Sequence, residues 1–92
     1  MSNRITEKQL QAVCDLINKE TTSPMAPWVK NADGKLVGQI GNYHISHAYG
    51  GVCLHRMSNE RGGVSDVFYC GHVPKRELFN QMHALLAGLA AA

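Results

Sequence analysis

The stretch GNYHISHAYGGVCLHRMSNERGGVSDVFYCGH, residues 41–72, decides the fold. Tyr43, Ile45 and His47 recur at every second position, the spacing of a strand with one covered face. Two GGV triplets, at 50–52 and 62–64, each read as a turn that releases a strand. Strands are therefore expected near 52–57 and 64–70, separated by the polar loop Ser58, Asn59, Glu60, Arg61, Gly62, Gly63. Upstream, Asp33-Gly34 reads as a tight hairpin turn between a brief strand at 28–32 and a longer one from Leu36 to His47. Four antiparallel strands in a meander is the economical arrangement. Composition agrees, because eight of the nine glycines lie between Gly34 and Gly71, together with Tyr43, Tyr49, Phe68 and Tyr69, rings expected mostly to pack core and sheet.

Both flanks read as helices. Thr6 can cap the first, Gln9 completes a capping box, and Ile5 can staple onto Leu10. Leu10, Val13, Cys14 and Ile17 then follow as one apolar stripe, and the run Thr21, Thr22, Ser23, Pro24 stops the helix. The last helix opens at Pro74 and keeps Leu78, Met82, Leu85, Leu86 and Leu89 at helical spacing. A four-stranded sheet needs one face covered, so the expected fold is α+β: a four-stranded antiparallel sheet with an N-terminal and a C-terminal helix packed on one face, αββββα.

Ninety-two residues make one domain, spanning 1–92, and an apolar fraction of 45% allows a small core. Only 17% of residues are charged, so recognition by this surface leans on hydrogen bonds. The net charge of +2 excludes an acidic imitation of DNA and is too small to establish nucleic-acid binding alone. An odd set of cysteines, Cys14, Cys53 and Cys70, with no apolar leader in MSNRITEKQL, points to free thiols in a reducing cytoplasm. LLAGLAAA is too short to cross a bilayer.

The sharpest chemical pattern is Cys53-x-His55 repeated as Cys70-x-His72, since alternate strand residues share a face and both types bind zinc. A regular hairpin with Met57 opposite Val64 puts Cys70 opposite Gly51 and His72 opposite Tyr49, which separates His55 from His72 by roughly 20 Å. That is too far for one tetrahedral ion, and buried thiols with partly exposed imidazoles is the reading retained. His44 and His47, three apart, point to opposite faces of a strand. No flanking residues supply an acylation or protease context for a Cys/His pair, and the carboxylates Asp33, Glu60 and Asp66 are scattered, so no catalytic residue, metal or cofactor is expected. The glycine-rich loops match no phosphate-binding fingerprint, and the helix start Pro74, Lys75, Arg76 is a weak pointer to phosphate.

Charge placement is more informative. Lys30, Lys35, Arg56, Arg61, Lys75 and Arg76 all fall in the sheet, its loops or the start of the last helix, opposed there by Asp33, Glu60, Asp66 and Glu77. Such residues can meet a phosphate backbone or an acidic protein patch, with Asn31, Asn59 and the loops around Gly50 and Gly62 adding hydrogen bonds.

Taken through GNYHISHAYGGVCLHRMSNERGGVSDVFYCGHVPKRELF and over essentially its full length, the chain resembles phage-encoded anti-CRISPR proteins directed against the type I-F surveillance complex. The resemblance lies in overall sequence, length and character, and carries no functional residue over. It implies a non-enzymatic protein in the cytoplasm of the infected bacterial host that binds Cas proteins and their CRISPR RNA and blocks hybridisation of target DNA. The expected contacts are then Lys30, Lys35, Arg56, Arg61, Lys75, Arg76, Asn31 and Asn59. The alternative is a free-standing phage nucleic-acid-binding regulatory module using the same bases.

Overall fold

A computed structural model describes residues 4–91. The order is α1 (Glu7–Glu20), β1 (Trp28–Lys30), β2 (Leu36–Gly38), β3 (Tyr43–Ala48), β4 (Gly51–Met57), β5 (Val64–Asp66) and α2 (Lys75–Ala91). The class is α+β, as the periodicities indicate. The single four-stranded sheet is replaced by two small antiparallel sheets, β1-β2 and β3-β4-β5.

The break falls inside the expected long strand from Leu36 to His47. Gly38 N–H donates to Glu60 C=O, Gln39 N–H to Pro27 C=O and Gly41 N–H to Met57 C=O, so residues 38–41 are drawn out of one ladder and tied to three places. Buried Asn42 fixes the bend by donating from Nδ2 to Pro24 C=O at 2.8 Å. Nor is Asp33-Gly34 a two-residue turn: β1 and β2 pair from Lys30↔Leu36 to Trp28↔Gly38, leaving a five-residue loop.

Thr6 and Gln9 form the capping box of α1 as read from sequence. Its stripe Leu10, Val13, Cys14 and Ile17 is buried with Val52 and Leu54 of β4 and with Leu78 and Met82 of α2. Tyr43, Ile45, Val67, Phe68 and Val73 pack against this cluster, so both helices cover one face of the three-stranded sheet. Buried Asn18 joins α1 to β3. Its Nδ2 donates to Tyr43 C=O at 2.9 Å, and its Oδ1 accepts from Tyr43 N–H at 2.8 Å.

The β4-β5 register is the one read from sequence, with Met57↔Val64, Arg56↔Ser65 and His55↔Asp66. The strand ends at Asp66, not at residue 70. Asp66 Oδ1 accepts from the N–H groups of Phe68 and Tyr69, and Oδ2 from that of Gly71 at 2.7 Å. Left-handed backbone at Tyr69 (φ 55°) and Gly71 (φ 72°) completes the loop, and the chain rejoins β4 as an isolated Val52↔Val73 bridge. An uninterrupted ladder would put Tyr69 opposite Val52, so residues 67–73 form a strap four residues out of register.

Among the described residues, no helix is long and apolar enough to cross a membrane.

Candidate functional site

The bases singled out from sequence divide between two ends of β4, roughly 20 Å apart for a strand of this length. Lys30, Lys35, Arg56 and Arg61 lie toward its Met57 end, whereas Lys75 and Arg76 follow the Val52↔Val73 bridge at the other.

At the Met57 end, two loops share one device. Asn31 Oδ1 accepts from the N–H groups of Asp33 (2.9 Å) and Lys35 (3.0 Å); Asn59 Oδ1 accepts from those of Arg61 and Gly63, both at 2.9 Å. The side-chain oxygens of both asparagines are thus engaged in shaping the loops that carry Lys35 and Arg61. The β1-β2 hairpin docks on the β4-β5 loop, because a Cβ at Gly38 would stand 2.8 Å from Asn59 C=O and 2.9 Å from Met57 Sδ, and the Trp28 ring lies against Gly62. Trp28, Val29, Leu36 and Ile40 remain exposed, Leu36 at 63%. The guanidinium of Arg56 stands 5.8 Å over the Tyr43 ring, which limits its freedom. An exposed tryptophan and neighbouring aliphatics interleaved with lysine and arginine is the composition of a recognition surface. Sequence reasoning missed Trp28; its signal was a lone tryptophan in a short strand next to Lys30 and Asp33-Gly34.

The other end is tied up internally. Glu7 Oε1 meets Lys75 Nζ at 3.0 Å and Oε2 meets His47 Nε2 at 2.7 Å, beside an open depression of about 390 Å³ lined also by Gly50, Gly51 and Val52. Hydrogen bonds from His47 and Lys75 hold the Glu7 carboxyl below its ordinary value. Lys75 is therefore engaged with a carboxylate and is a poorer phosphate contact than its position in the sequence suggested.

A third group of side chains lies on the sheet face away from the helices. His44, His55 and Asp66 line up across the three strands, with Ser46 and Cys53 paired in the next row. The strap adds His72, whose ring centroid is 6.0 Å from that of His55 and whose Nε2 is hydrogen-bonded to Ser46 Oγ at 3.1 Å. This corrects the expected separation of roughly 20 Å: that spacing assumed an unbroken hairpin, and the Asp66 loop folds His72 back. His44 and His47 do point to opposite faces, His44 toward Asn42 and His47 toward Glu7.

Desolvation, then the neighbouring His55, lowers the pKa of His44. Desolvation also lowers that of His55, aided by His72 and opposed by Asp66. For Asp66, desolvation is outweighed by the donors Gly71, Cys53, Phe68 and Tyr69, which keep its carboxyl below the ordinary value. Burial, with the bond to Asp66, pushes the Cys53 thiol up to about 12, which makes it a poor nucleophile at neutral pH. Cys70 is exposed and lies on Gln81, away from this thiol's burial. Among the described residues, no three His, Cys, Asp or Glu are placed to hold a metal ion.

Tyr43 and Phe68 pack on the core as expected of aromatic residues, but Tyr49 and Tyr69 are 99% and 88% exposed, each on left-handed backbone. No family model, curated protein or solved structure matches the chain.

Proposed function

We propose that the protein is an anti-CRISPR inhibitor of phage type that binds the type I-F surveillance complex stoichiometrically and obstructs binding or hybridisation of target DNA. The observation that carries the reading is the Met57 end of the sheet, where Lys30, Lys35, Arg56 and Arg61 surround exposed Trp28, Val29 and Leu36. The cations suit the guide's phosphate backbone, and the apolar residues suit an adjoining Cas subunit. A chain of net charge +2 lacks the dense negative surface that imitation of DNA requires. Because the guide is read by base pairing within a positively lined channel, an inserted wedge need cover only a short stretch to stop the heteroduplex from extending. The protein acts by occupancy, with no turnover and no bound cofactor, in the cytoplasm of the infected host.

The test is target-DNA binding by the guide-loaded complex as the protein is titrated in. Inhibition is expected to complete at a fixed molar ratio; full DNA binding at saturating protein refutes the reading. Salt-dependent binding to naked RNA or DNA, without preference for the assembled complex, would instead favour a free-standing nucleic-acid module. Within the reading, Arg61→Glu, and Arg56→Glu with Arg61→Glu, should weaken association with the complex at least about ten-fold, or about 1.4 kcal/mol. Circular dichroism should stay unchanged. Arg61 gives the cleaner result, since Arg56 also covers Tyr43.

A further inference from the structure

The outer sheet face carries three imidazoles in series. His44 and His55 rings stand 5.9 Å apart, and His55 and His72 rings 6.0 Å apart, each pair edge to face. Two of the rings belong to the ladder, on β3 and β4; the third belongs to the strap. The ends of the strap are anchored: Val67, Phe68 and Val73 pack against the core, Val67 N–H donates to Leu54 C=O, and Val73 bridges Val52. Between them, the segment 69–72 is held by the N–H groups gathered by Asp66, the Ser46–His72 bond and the Cys70–Gln81 contact. It also contains left-handed backbone at Tyr69, a conformation that a β-carbon disfavours.

We propose that the His44–His55–His72 row is a proton-operated latch: neutral, the rings hold residues 69–72 of the strap over the outer sheet face; protonation of the row releases that segment. This goes beyond the proposed function and does not depend on it.

The groups facing the row are few. From β3 come Ser46 and, through Asn42 just before it, the amide oxygen that accepts from His44 Nδ1 at 3.1 Å. From β4 comes the Cys53 thiol, from β5 the Asp66 carboxylate, from the β3-β4 turn the Tyr49 ring against His72, and from the strap Cys70. Arg56 projects to the other face with Tyr43, and Lys75 and His47 are engaged with Glu7 there. Among the described residues, Asp66 is thus the one carboxylate facing the row, and its oxygens already serve three backbone N–H groups. Its carboxyl stays ionised well below the imidazole range, so it does not itself let go of Gly71 when the rings charge. Protons are resisted first at His44 and His55, whose neutral forms the partial burial favours, and two like charges about 6 Å apart repel strongly where water is partly excluded.

Amide hydrogen exchange on the full chain, followed residue by residue by NMR at about pH 7.5 and about pH 5 and divided by intrinsic exchange rates, tests this. At the lower pH, protection at Gly71 should fall at least about ten-fold further than that of the α1 amides. His55→Gln should abolish the difference. If that variant loses its fold by circular dichroism, His44→Gln, at the end of the row, should at least halve it. Strap protection that is equal at both pH values overturns the latch. So does a loss that α1 matches in size, or one that survives in both glutamine variants.

Discussion

Gly38→Ala tests whether the β1-β2 hairpin is held on the body of the protein by close backbone approach. The new methyl would lie 2.8 Å from Asn59 C=O, 2.9 Å from Met57 Sδ and 3.2 Å from Met57 Cγ. The thioether can rotate away, but the carbonyl belongs to a loop fixed by the Asn59 turn, so the hairpin itself must move. Overpacking of this kind costs ~1–3 kcal/mol, and the displaced Gly38–Glu60 hydrogen bond adds about 1 kcal/mol. The expected loss is about 2–4 kcal/mol, or a fall in Tm of roughly 8–32 °C for a chain of this size. Because Trp28 is the chain's one tryptophan and lies on Gly62, its fluorescence reads docking directly. Emission should shift to the red at 25 °C, with helical circular dichroism unchanged. Gly88→Ala is the control of opposite sign: nothing lies within 4 Å of its added methyl, so it should gain up to ~1 kcal/mol, less because it lies in the last turns of α2. A Gly38→Ala protein within about 0.5 kcal/mol of the parent, with unshifted emission, would refute the reasoning.

Asn18→Ala leaves the Tyr43 N–H without its partner and the Tyr43 C=O with only the weak Cys14 thiol donor, in a nearly dry site; a loss of about 3 kcal/mol is expected in urea unfolding, and a loss under 1 kcal/mol contradicts the account. With a chromogenic disulfide reagent, Cys70 should react at once in the native protein. Cys14 and Cys53, buried and with thiols pushed up to about 12, should react only on unfolding; three rapid equivalents would contradict this. Thermal stability should fall on acidification in two windows. His44 and His55 are depressed in the fold, so the unfolded chain takes up protons first and stability drops as pH falls through ~6.5. Glu7 and Asp66 are also depressed, so their contribution is complete above the ordinary carboxylate range near ~4 and is lost as pH falls below it. A Tm that rises between about pH 7 and about pH 5 has the wrong sign for this account.

What was legible in the sequence was local. The capping box at Thr6 and Gln9, the α1 stripe, the Pro74 start and the register of Met57 on Val64 follow from spacing within a few residues, and each is present. What was not legible depended on partners far along the chain. Gly38–Asn42 contains no proline to mark a break, yet bonds from Gly38 to Glu60 and from Gly41 to Met57 split the strand. Residues 64–70 are apolar enough for a strand, but one carboxylate, Asp66, collects three N–H groups and turns it into a strap. An aspartate five residues before a glycine was the available sign, weak by itself, and missing it misplaced His72. The bases were correctly read as belonging to sheet and loops, but not their division between two ends, nor the engagement of Lys75 by Glu7, because residues 7 and 75 are brought together only by the packed helices.

The bond pair between Asn18 and Tyr43 bears on how the molecule behaves when concentrated. Tyr43 directs its N–H and C=O away from β4, where a foreign strand would otherwise find a ready template. A side-chain amide presents the same donor and acceptor as a peptide group, so α1 supplies a counterfeit neighbour at that point of the border. Intermolecular growth of the sheet is thereby denied a starting place at Tyr43, without adding another strand to the chain.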